Sequence, residues 1–298
     1  MKKKHFFIAL MGILALAFLT TACSGQSVAS RNIVQQVKKT KKITWGVKSD
    51  LRLVGILSIK DNQLEGFEVD LAKKLSTEIF GKDVQVNFVP VTSNTRMALL
   101  KNGNIDALVA TMTITPDRQK VVDFSQPYFK AGQTIMVKRD SKIKSVTDLK
   151  QGTKVIGLQG SNSVQNIKKV APLTKILQLP DAAQAFSALQ SGQADAMTSD
   201  NVMLYGLLSD NQNYRLAGKN FTVEDYGIAV NKGQRHLLKK INRALAEMKA
   251  DGTYNQLLLK WFGQIPGFKV GDVQWSRFFK LTWTTSSQAL EWLFSLVF

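Results

Sequence analysis

The sequence predicts an α/β protein built from two similar lobes that face each other across a cleft. Strand-like and helix-like apolar segments alternate along the chain, which is typical of an open α/β sheet. One helix–glycine–strand unit occurs twice, and its second copy lies in a segment inserted into the first lobe. The 298 residues, 44% of them hydrophobic, suffice for one large or two modest globular domains.

The first lobe opens with a regular alternation of elements. The predicted elements are strands at residues 43–47, 84–89 and 105–111, a helix between Gly66 and Gly81, and a shorter helix at residues 93–101. Glycines end both helices, as is common at helix C-termini.

The segments at residues 99–108 and 188–197 repeat one pattern, LLKNGNIDAL and ALQSGQADAM. Each contains a helix end, a glycine stop and a strand that begins with Asp-Ala. The polar residues that follow are Thr111, Thr113 and Arg118 after the first strand and Asp200 after the second. Because open α/β sheets bind ligands at the carboxyl ends of their strands, two such edges facing each other predict a binding cleft.

The chain crosses between the predicted lobes twice. We assign residues 43–136 and 226–263 to the first lobe and residues 137–225 to the second. A strand at residues 154–158 opens the second lobe, and one at 226–230 returns to the first. The crossings predict a two-strand hinge near residues 133–137 and 226–231.

Residues 1–22 have the composition of a secretory signal peptide, with three lysines before a short apolar run. The run LTTAC at residues 19–23 resembles the lipobox of bacterial lipoproteins, whose cysteine carries a diacylglyceryl group. That resemblance implies a lipid anchor at Cys23, on the extracellular face of the cell membrane. The alternative is an ordinary signal peptide that contains a cysteine. Residues 23–42 are interpreted as a polar, solvated linker.

The formal net charge of +18 is compatible with nucleic acid, anionic lipid or small anions as partners. The export signal argues against nucleic acid, and the lysines are scattered. The basic run at residues 38–42 is interpreted as part of a solvated spacer near an anionic membrane.

Arg118 is a candidate carboxylate-binding residue. Thr115, Pro116 and Asp117 suit the first turn of a helix, but a cation at the next position opposes the helix dipole. A guanidinium grips a carboxylate through two parallel hydrogen bonds. The alternative is a solvated surface arginine.

Two features of the second lobe complement this cation. Ser161 and Asn162 lie in a loop before a helix, where free N–H groups favour an anion. Asp200 ends a strand, where its carboxylate can pair with an ammonium ion. Each has a plainer alternative as a helix N-cap. We find no metal-spaced cluster and no paired nucleophile and base, so the sequence predicts no cofactor, no metal and no catalytic residue.

Five segments resemble the motifs of one family, the polar amino-acid-binding proteins of ABC importers (family 3 solute-binding proteins). The segments are GFEVDLA at 66–72, ATMTITPDR at 110–118, VDFSQPY at 122–128, DGTY at 251–254 and KWFG at 260–263. The resemblance covers about residues 43–263. It implies a two-lobed fold of the type II periplasmic-binding-protein kind, a polar L-amino acid ligand, an ABC transporter permease as partner, and a monomer.

The resemblance also implies residue roles. Arg118 would bind the α-carboxylate of the ligand, helped by Thr113 and by backbone groups near Thr111. Ser161 and Asn162 would seat the same carboxylate, and Asp200 would pair with the α-ammonium group.

The side chain of the ligand is assigned less directly. The segment TSNTR at 92–96 resembles glutamate- and aspartate-binding members, in which the serine and the arginine contact the distal carboxylate. Ser93, Arg96 and the basic Lys48 therefore favour glutamate or aspartate. The alternative is glutamine or asparagine.

Two other protein classes share this fold. A dehydratase-type enzyme would need an acid or base in the cleft besides the amino-acid contacts, and a sensory domain would need a spanning helix and a signalling domain. Residues 264–298 are an atypical C-terminal extension. It is interpreted as a truncated or frameshifted end, the start of a fused permease, or an interfacial helix.

Overall fold

A computed structural model describes residue 28, residues 31–265 and residues 268–274. The predicted signal peptide, the predicted lipidation site Cys23 and most of the C-terminal extension lie outside these residues. Within them the chain forms two α/β lobes, so the predicted fold class is confirmed.

The first lobe is built on a five-stranded sheet in the order β5-β1-β6-β15-β7. Its strands are β1 (Lys42–Lys48), β5 (Gln85–Val91), β6 (Ala107–Val109), β7 (Val122–Phe124) and β15 (Ala229–Asn231). β1 is parallel to β5 and β6, whereas β15 is antiparallel to β6 and β7. A small meander beside it consists of β2 (Asp50–Leu51), β3 (Gly55–Leu57) and β4 (Leu64–Glu65).

The second lobe repeats the plan with the order β11-β10-β12-β9-β13. Its strands are β9 (Gln133–Lys138), β10 (Lys154–Leu158), β11 (Lys175–Leu179), β12 (Ala196–Asp200) and β13 (Tyr214–Ala217). β10 is parallel to β11 and β12, and β9 is antiparallel to β12 and β13.

Two antiparallel strands outside both sheets, β8 (Phe129–Ala131) and β14 (Glu224–Tyr226), join the lobes. We expected the first crossing near residues 133–137, but β9 already pairs with β12 from Gln133 onward. The crossing therefore lies a few residues earlier than predicted, because the polar start of β9 is buried in the second sheet.

Helices cover the faces of both sheets. They are α1 (Ile33–Thr40), α2 (Phe67–Phe80), α3 (Arg96–Lys101), α4 (Pro116–Val121), α5 (Ser163–Val170), α6 (Ala182–Gln190), α7 (Asn201–Leu208), α8 (Arg235–Ala250) and α9 (Thr253–Phe262). α2, α8 and α9 pack against one another. Asp70 of α2 accepts hydrogen bonds from Lys260 Nζ at 2.6 Å and Trp261 Nε1 at 2.9 Å, which joins two of the sequence motifs.

The expectation of a solvated linker through residue 42 is wrong for its second half. α1 begins after Asn32, whose Oδ1 accepts a hydrogen bond from Gln35 N at 3.1 Å. Ile33, Val34 and Val37 are buried, and α1 packs against α8. Their spacing places these three side chains on one helix face, a pattern that the surrounding lysines obscured.

We predict that Val37→Ala lowers the free energy of unfolding by roughly 2 kcal/mol, because it removes fully buried methyl groups and leaves a cavity. Chemical denaturation measures the change. Lys39→Ala, on the exposed side of the same helix, is the matched control and should change stability by less than about 0.5 kcal/mol. Equally small effects of both substitutions would restore the linker interpretation.

Candidate functional site

Arg118 reaches across the cleft between the lobes. Thr115 caps α4 by accepting a hydrogen bond from Arg118 N at 3.3 Å, which places Arg118 in the first turn. Its Nη1 donates to the Thr113 carbonyl at 2.8 Å, and its Nη2 donates to the carbonyl of Gly160 in the second lobe at 3.2 Å. Burial lowers the pKa of the guanidinium, and the negative charge of Asp200 opposes that shift. Arg118 of the first lobe therefore lies close enough to Asp200 of the second for the two charges to interact across the cleft.

Asp200 ends β12 and stands at the N-cap position of α7, yet its side chain makes no capping hydrogen bond. Instead Oδ2 accepts a hydrogen bond from the Tyr226 hydroxyl at 2.5 Å. Oδ1 is buried, with no donor in hydrogen-bonding geometry among the described residues. Burial raises the pKa of this carboxyl to about 6, and the Glu224 charge adds to the rise, whereas the side chains of Tyr226 and Gln133 and the Arg96 charge oppose it. Asp200 is thus a buried carboxyl next to the hinge strand, and its predicted pairing with a ligand ammonium group stays a prediction.

Thr111 and Thr113 are both buried, and the Thr113 carbonyl accepts the hydrogen bond from Arg118. Thr111 has a left-handed backbone with φ of 46°, which is rare for a β-branched residue. Thr113 forms an isolated antiparallel bridge with Tyr226 of the hinge. The chain after β6 therefore turns at Thr111 and runs beside the hinge strand β14. This path places Thr113 and Arg118 at the cleft.

The predicted anion seat of the second lobe differs from expectation in its side chains. Ser161 Oγ accepts a hydrogen bond from Ser163 N at 2.9 Å. Asn162 Nδ2 donates to Glu224 at 2.6 Å, and its Oδ1 accepts from Gln133 at 3.3 Å. The Asn162 side chain thus joins α5 to the hinge strand β14, and the role predicted for Ser161 and Asn162 in seating a carboxylate stays a prediction.

Of the three residues predicted to hold a distal carboxylate, Lys48 and Arg96 have partners within the protein and Ser93 is buried. Lys48 is fully buried and its Nζ lies 2.9 Å from Asp50 Oδ1 in an ion pair. Arg96 Nη1 donates to the carbonyls of Ala110 at 2.5 Å and Thr111 at 3.1 Å. Ser93 is buried, and its carbonyl oxygen would lie 2.4 Å from a Cβ built on Gly160. Lys48 and Arg96 therefore already have partners within the protein, and the contacts predicted for Ser93, Arg96 and Lys48 with a distal carboxylate stay predictions.

Sequence reasoning missed a buried acid beneath the site. Glu68, in the first turn of α2, accepts hydrogen bonds from Thr111 N at 2.7 Å and from the Tyr128 hydroxyl. Burial raises its pKa to about 7, although both hydrogen bonds oppose the shift. An acid in a first helical turn is ordinarily explained by the helix dipole, so the sequence carried no signal for this tertiary role.

The two lobes touch at several points around the site. Arg52 Nε lies 2.7 Å from Asp210 Oδ2, and Ala182 N donates to Asp50 Oδ2 at 3.2 Å. Gly160, at φ of 71°, packs against the Ser93 backbone, so a side chain there would force the lobes apart. The site is therefore formed by both lobes together.

Within the described ranges, no group of three or more His, Cys, Asp or Glu side chains could hold a metal ion. In the same part of the chain, no helix is both long and apolar enough to cross a membrane.

Comparison with known proteins identifies the family of this chain. The profile of the bacterial extracellular solute-binding proteins, family 3, matches residues 43–264. The chain is 46% identical over 271 residues to the ABC transporter glutamine-binding protein GlnH of Bacillus subtilis (strain 168), covering 89% of this chain and 99% of that one. It is 43% identical over 244 residues to a glutamine-binding protein of Geobacillus stearothermophilus, with 78% and 93% covered.

One similar solved structure is the ancestral amino acid-binding protein AncCDT-1, described as a precursor of cyclohexadienyl dehydratase. It is 39% identical with a TM-score of 0.71, and the match covers 78% of this chain and 100% of that chain.

We predict that the free energy of unfolding of the ligand-free protein falls as the pH rises between about 4 and about 6. Folded Asp200 keeps its proton up to about pH 6, whereas the unfolded residue loses it near the ordinary value of 3.8. The folded state therefore binds more protons in this window, and raising the pH favours unfolding. Urea denaturation at pH 4, 5, 6 and 7 measures the slope.

The variant Asp200→Asn removes this residue's share of the slope and is more stable than the wild type at pH 7. The matched control is Asp195→Asn, an exposed aspartate just before the same strand, which should keep the slope. An Asp200→Asn variant with the wild-type slope contradicts the prediction.

Proposed function

Because the chain belongs to the bacterial extracellular solute-binding proteins of family 3, we propose that it captures a polar L-amino acid outside the cytoplasm and delivers it to the permease of an ABC importer. The observation that carries the proposal is the position of Arg118 and Asp200. The first lobe supplies the positive charge of Arg118 and the second lobe the negative charge of Asp200, and both residues border the same cleft. An amino acid zwitterion carries the complementary pair of charges.

The division of the site between lobes explains how binding would close the protein. Arg118 and Thr113 belong to the first lobe, and Asp200 belongs to the second. A ligand that contacts both binds the closed arrangement more tightly than an open one, and this difference in affinity is what shifts a conformational equilibrium. Closure about a hinge is a common response of two-lobed binding proteins, and β8 and β14 supply the hinge here.

We propose glutamine, the alternative that the sequence left open, rather than an acidic amino acid as the ligand. The Lys48 charge is compensated by Asp50, and Arg96 is held by two backbone carbonyls next to Glu68. The Lys48 charge is thus paired, and Arg96 Nη1 makes its hydrogen bonds to the backbone. A second ligand carboxylate would then be buried without a ready counter-charge, which is costly. A neutral amide avoids this cost, and two relatives are named as glutamine-binding proteins.

We further propose that the protein acts as a monomer, anchored through Cys23 on the extracellular face of the membrane. We also propose that it is not an enzyme. The buried acids of the site, Glu68 and Asp200, each accept a hydrogen bond from a tyrosine, Tyr128 and Tyr226. These contacts support structural and ligand-pairing roles rather than proton transfer to a substrate.

The experiment that tests the function is calorimetric titration with a panel of amino acids. We predict that glutamine binds and that Arg118→Ala abolishes binding of every amino acid, since the α-carboxylate loses its bidentate partner. Lys120→Ala, an exposed cation on the same helix, is the matched control and should bind normally. A wild-type protein that binds no amino acid, or an Arg118→Ala variant with unchanged affinity, would refute the proposal.

A second prediction concerns the choice between amide and acid. The wild-type protein should prefer glutamine to glutamate, and Asp50→Asn should narrow that preference by roughly tenfold, because it exposes the buried charge of Lys48 to the ligand. Competitive titration of both amino acids measures the ratio. Asp210→Asn, which breaks the exposed pair with Arg52, is the control. If Asp50→Asn leaves the ratio unchanged, the charge-balance argument fails.

A further inference from the structure

Thr111 occupies a backbone conformation that its side chain disfavours. Its φ of 46° lies in the left-handed region, where a β-branched residue is a genuine outlier. Such residues persist only where the surrounding structure enforces them, and they concentrate at functional sites. Thr111 lies where the chain leaves β6 and turns toward Thr113 and the hinge, so its conformation determines the direction of the segment that carries Arg118.

Two buried side chains of opposite charge hold the peptide groups on either side of this residue. Glu68 Oε1 accepts a hydrogen bond from Thr111 N at 2.7 Å. Arg96 Nη1 donates to the Ala110 carbonyl at 2.5 Å and to the Thr111 carbonyl at 3.1 Å. Only 1% of Glu68 and 3% of Arg96 is exposed. The donor and the carbonyl of one strained residue are therefore each bound by a charged group.

These contacts are not explained by pairing of the two charges with each other. Charged side chains are rarely buried completely unless they are paired, but within the described residues the ion pairs do not join Glu68 to Arg96. Each side chain comes from a different helix, α2 or α3, and both converge on the Ala110–Thr111 backbone. The Tyr128 hydroxyl donates a second hydrogen bond to Glu68 Oε1, which restrains the orientation of that carboxyl group.

We propose that Glu68 and Arg96 are positioning residues that clamp the Ala110–Thr111 backbone and hold Thr111 in the left-handed conformation needed to aim Thr113 and Arg118 into the cleft. The proposal deepens the proposed function and rests on it for its ligand readout. It assigns Arg96 to the backbone of the site rather than to the side chain of the ligand. Loss of Arg96 should therefore weaken glutamine and glutamate by the same factor.

A double-mutant cycle tests the clamp. We predict that Arg96→Met weakens both ligands about tenfold, the scale of one hydrogen bond from a charged group. In a Thr111→Gly background the further loss should be less than about threefold, because glycine adopts the left-handed conformation without steric cost. Arg96→Lys should restore part of the affinity, since an ammonium can donate to the same carbonyls. Lys101→Met, exposed at the end of the same helix, should bind as the wild type does.

Two results would overturn the proposal. A selective loss of glutamate on Arg96→Met would show that Arg96 binds the ligand side chain. An equal loss in the Thr111 and Thr111→Gly backgrounds would show that the backbone conformation is not what Arg96 maintains. If Arg96→Met does not fold, Arg96→Lys and Glu68→Gln carry the same cycle.

The cycle can also be measured without a ligand, by chemical unfolding of the four proteins. The clamp predicts that Arg96→Met destabilises the protein less in the Thr111→Gly background than in the Thr111 background, and additive effects contradict it. A wild type that binds no amino acid refutes the proposed function, whereas additive unfolding energies refute the clamp alone.

Discussion

The arrangement of the two lobes places the opposite charges of Arg118 and Asp200 at the same cleft, and the rest of the structure depends on this. Neither charge is solvated as it would be in water, and burial disfavours the charged form of both. The negative charge of Asp200 stabilises the charged form of Arg118, and it does so only while the lobes are together. A zwitterion that supplies a carboxylate to one and an ammonium to the other favours the same closed arrangement, so ligand capture and closure become one event.

The hinge strand β14 also contributes contacts to the site around Arg118 and Asp200. Tyr226 of β14 donates to Asp200 and bridges to Thr113, while Glu224 of the same strand holds Asn162 and Asn166 of the second lobe. The hinge strand is thus bonded to site residues of both lobes. A change in the angle between the lobes must alter these hydrogen bonds, which links the geometry of the hinge to the geometry of the cleft.

The sequence predicted the fold and the positions of Arg118, Thr113 and Asp200, because polar residues after buried strands and a cation misplaced in a first helical turn are local patterns. It failed for contacts made between distant segments. Lys48 is not such a case, because its partner Asp50 lies two residues away and is a local signal in the sequence. Arg96 is such a case, because its partners, the carbonyls after β6, are identified only by the folded chain. Glu68 looked like an ordinary helix-start acid for the same reason, and the buried face of α1 was hidden among lysines. The roles of the site residues as ligand contacts stay predictions.

The most direct test of the central claim is a distance measured between the lobes with and without glutamine. Spin labels at Lys60→Cys in the first lobe and Lys169→Cys in the second, in a Cys23→Ser protein, report this distance by pulsed electron paramagnetic resonance; both positions are exposed. The account predicts that saturating glutamine narrows the distribution to its short-distance component, and that Arg118→Ala prevents this. A distribution that saturating glutamine leaves unchanged would contradict it.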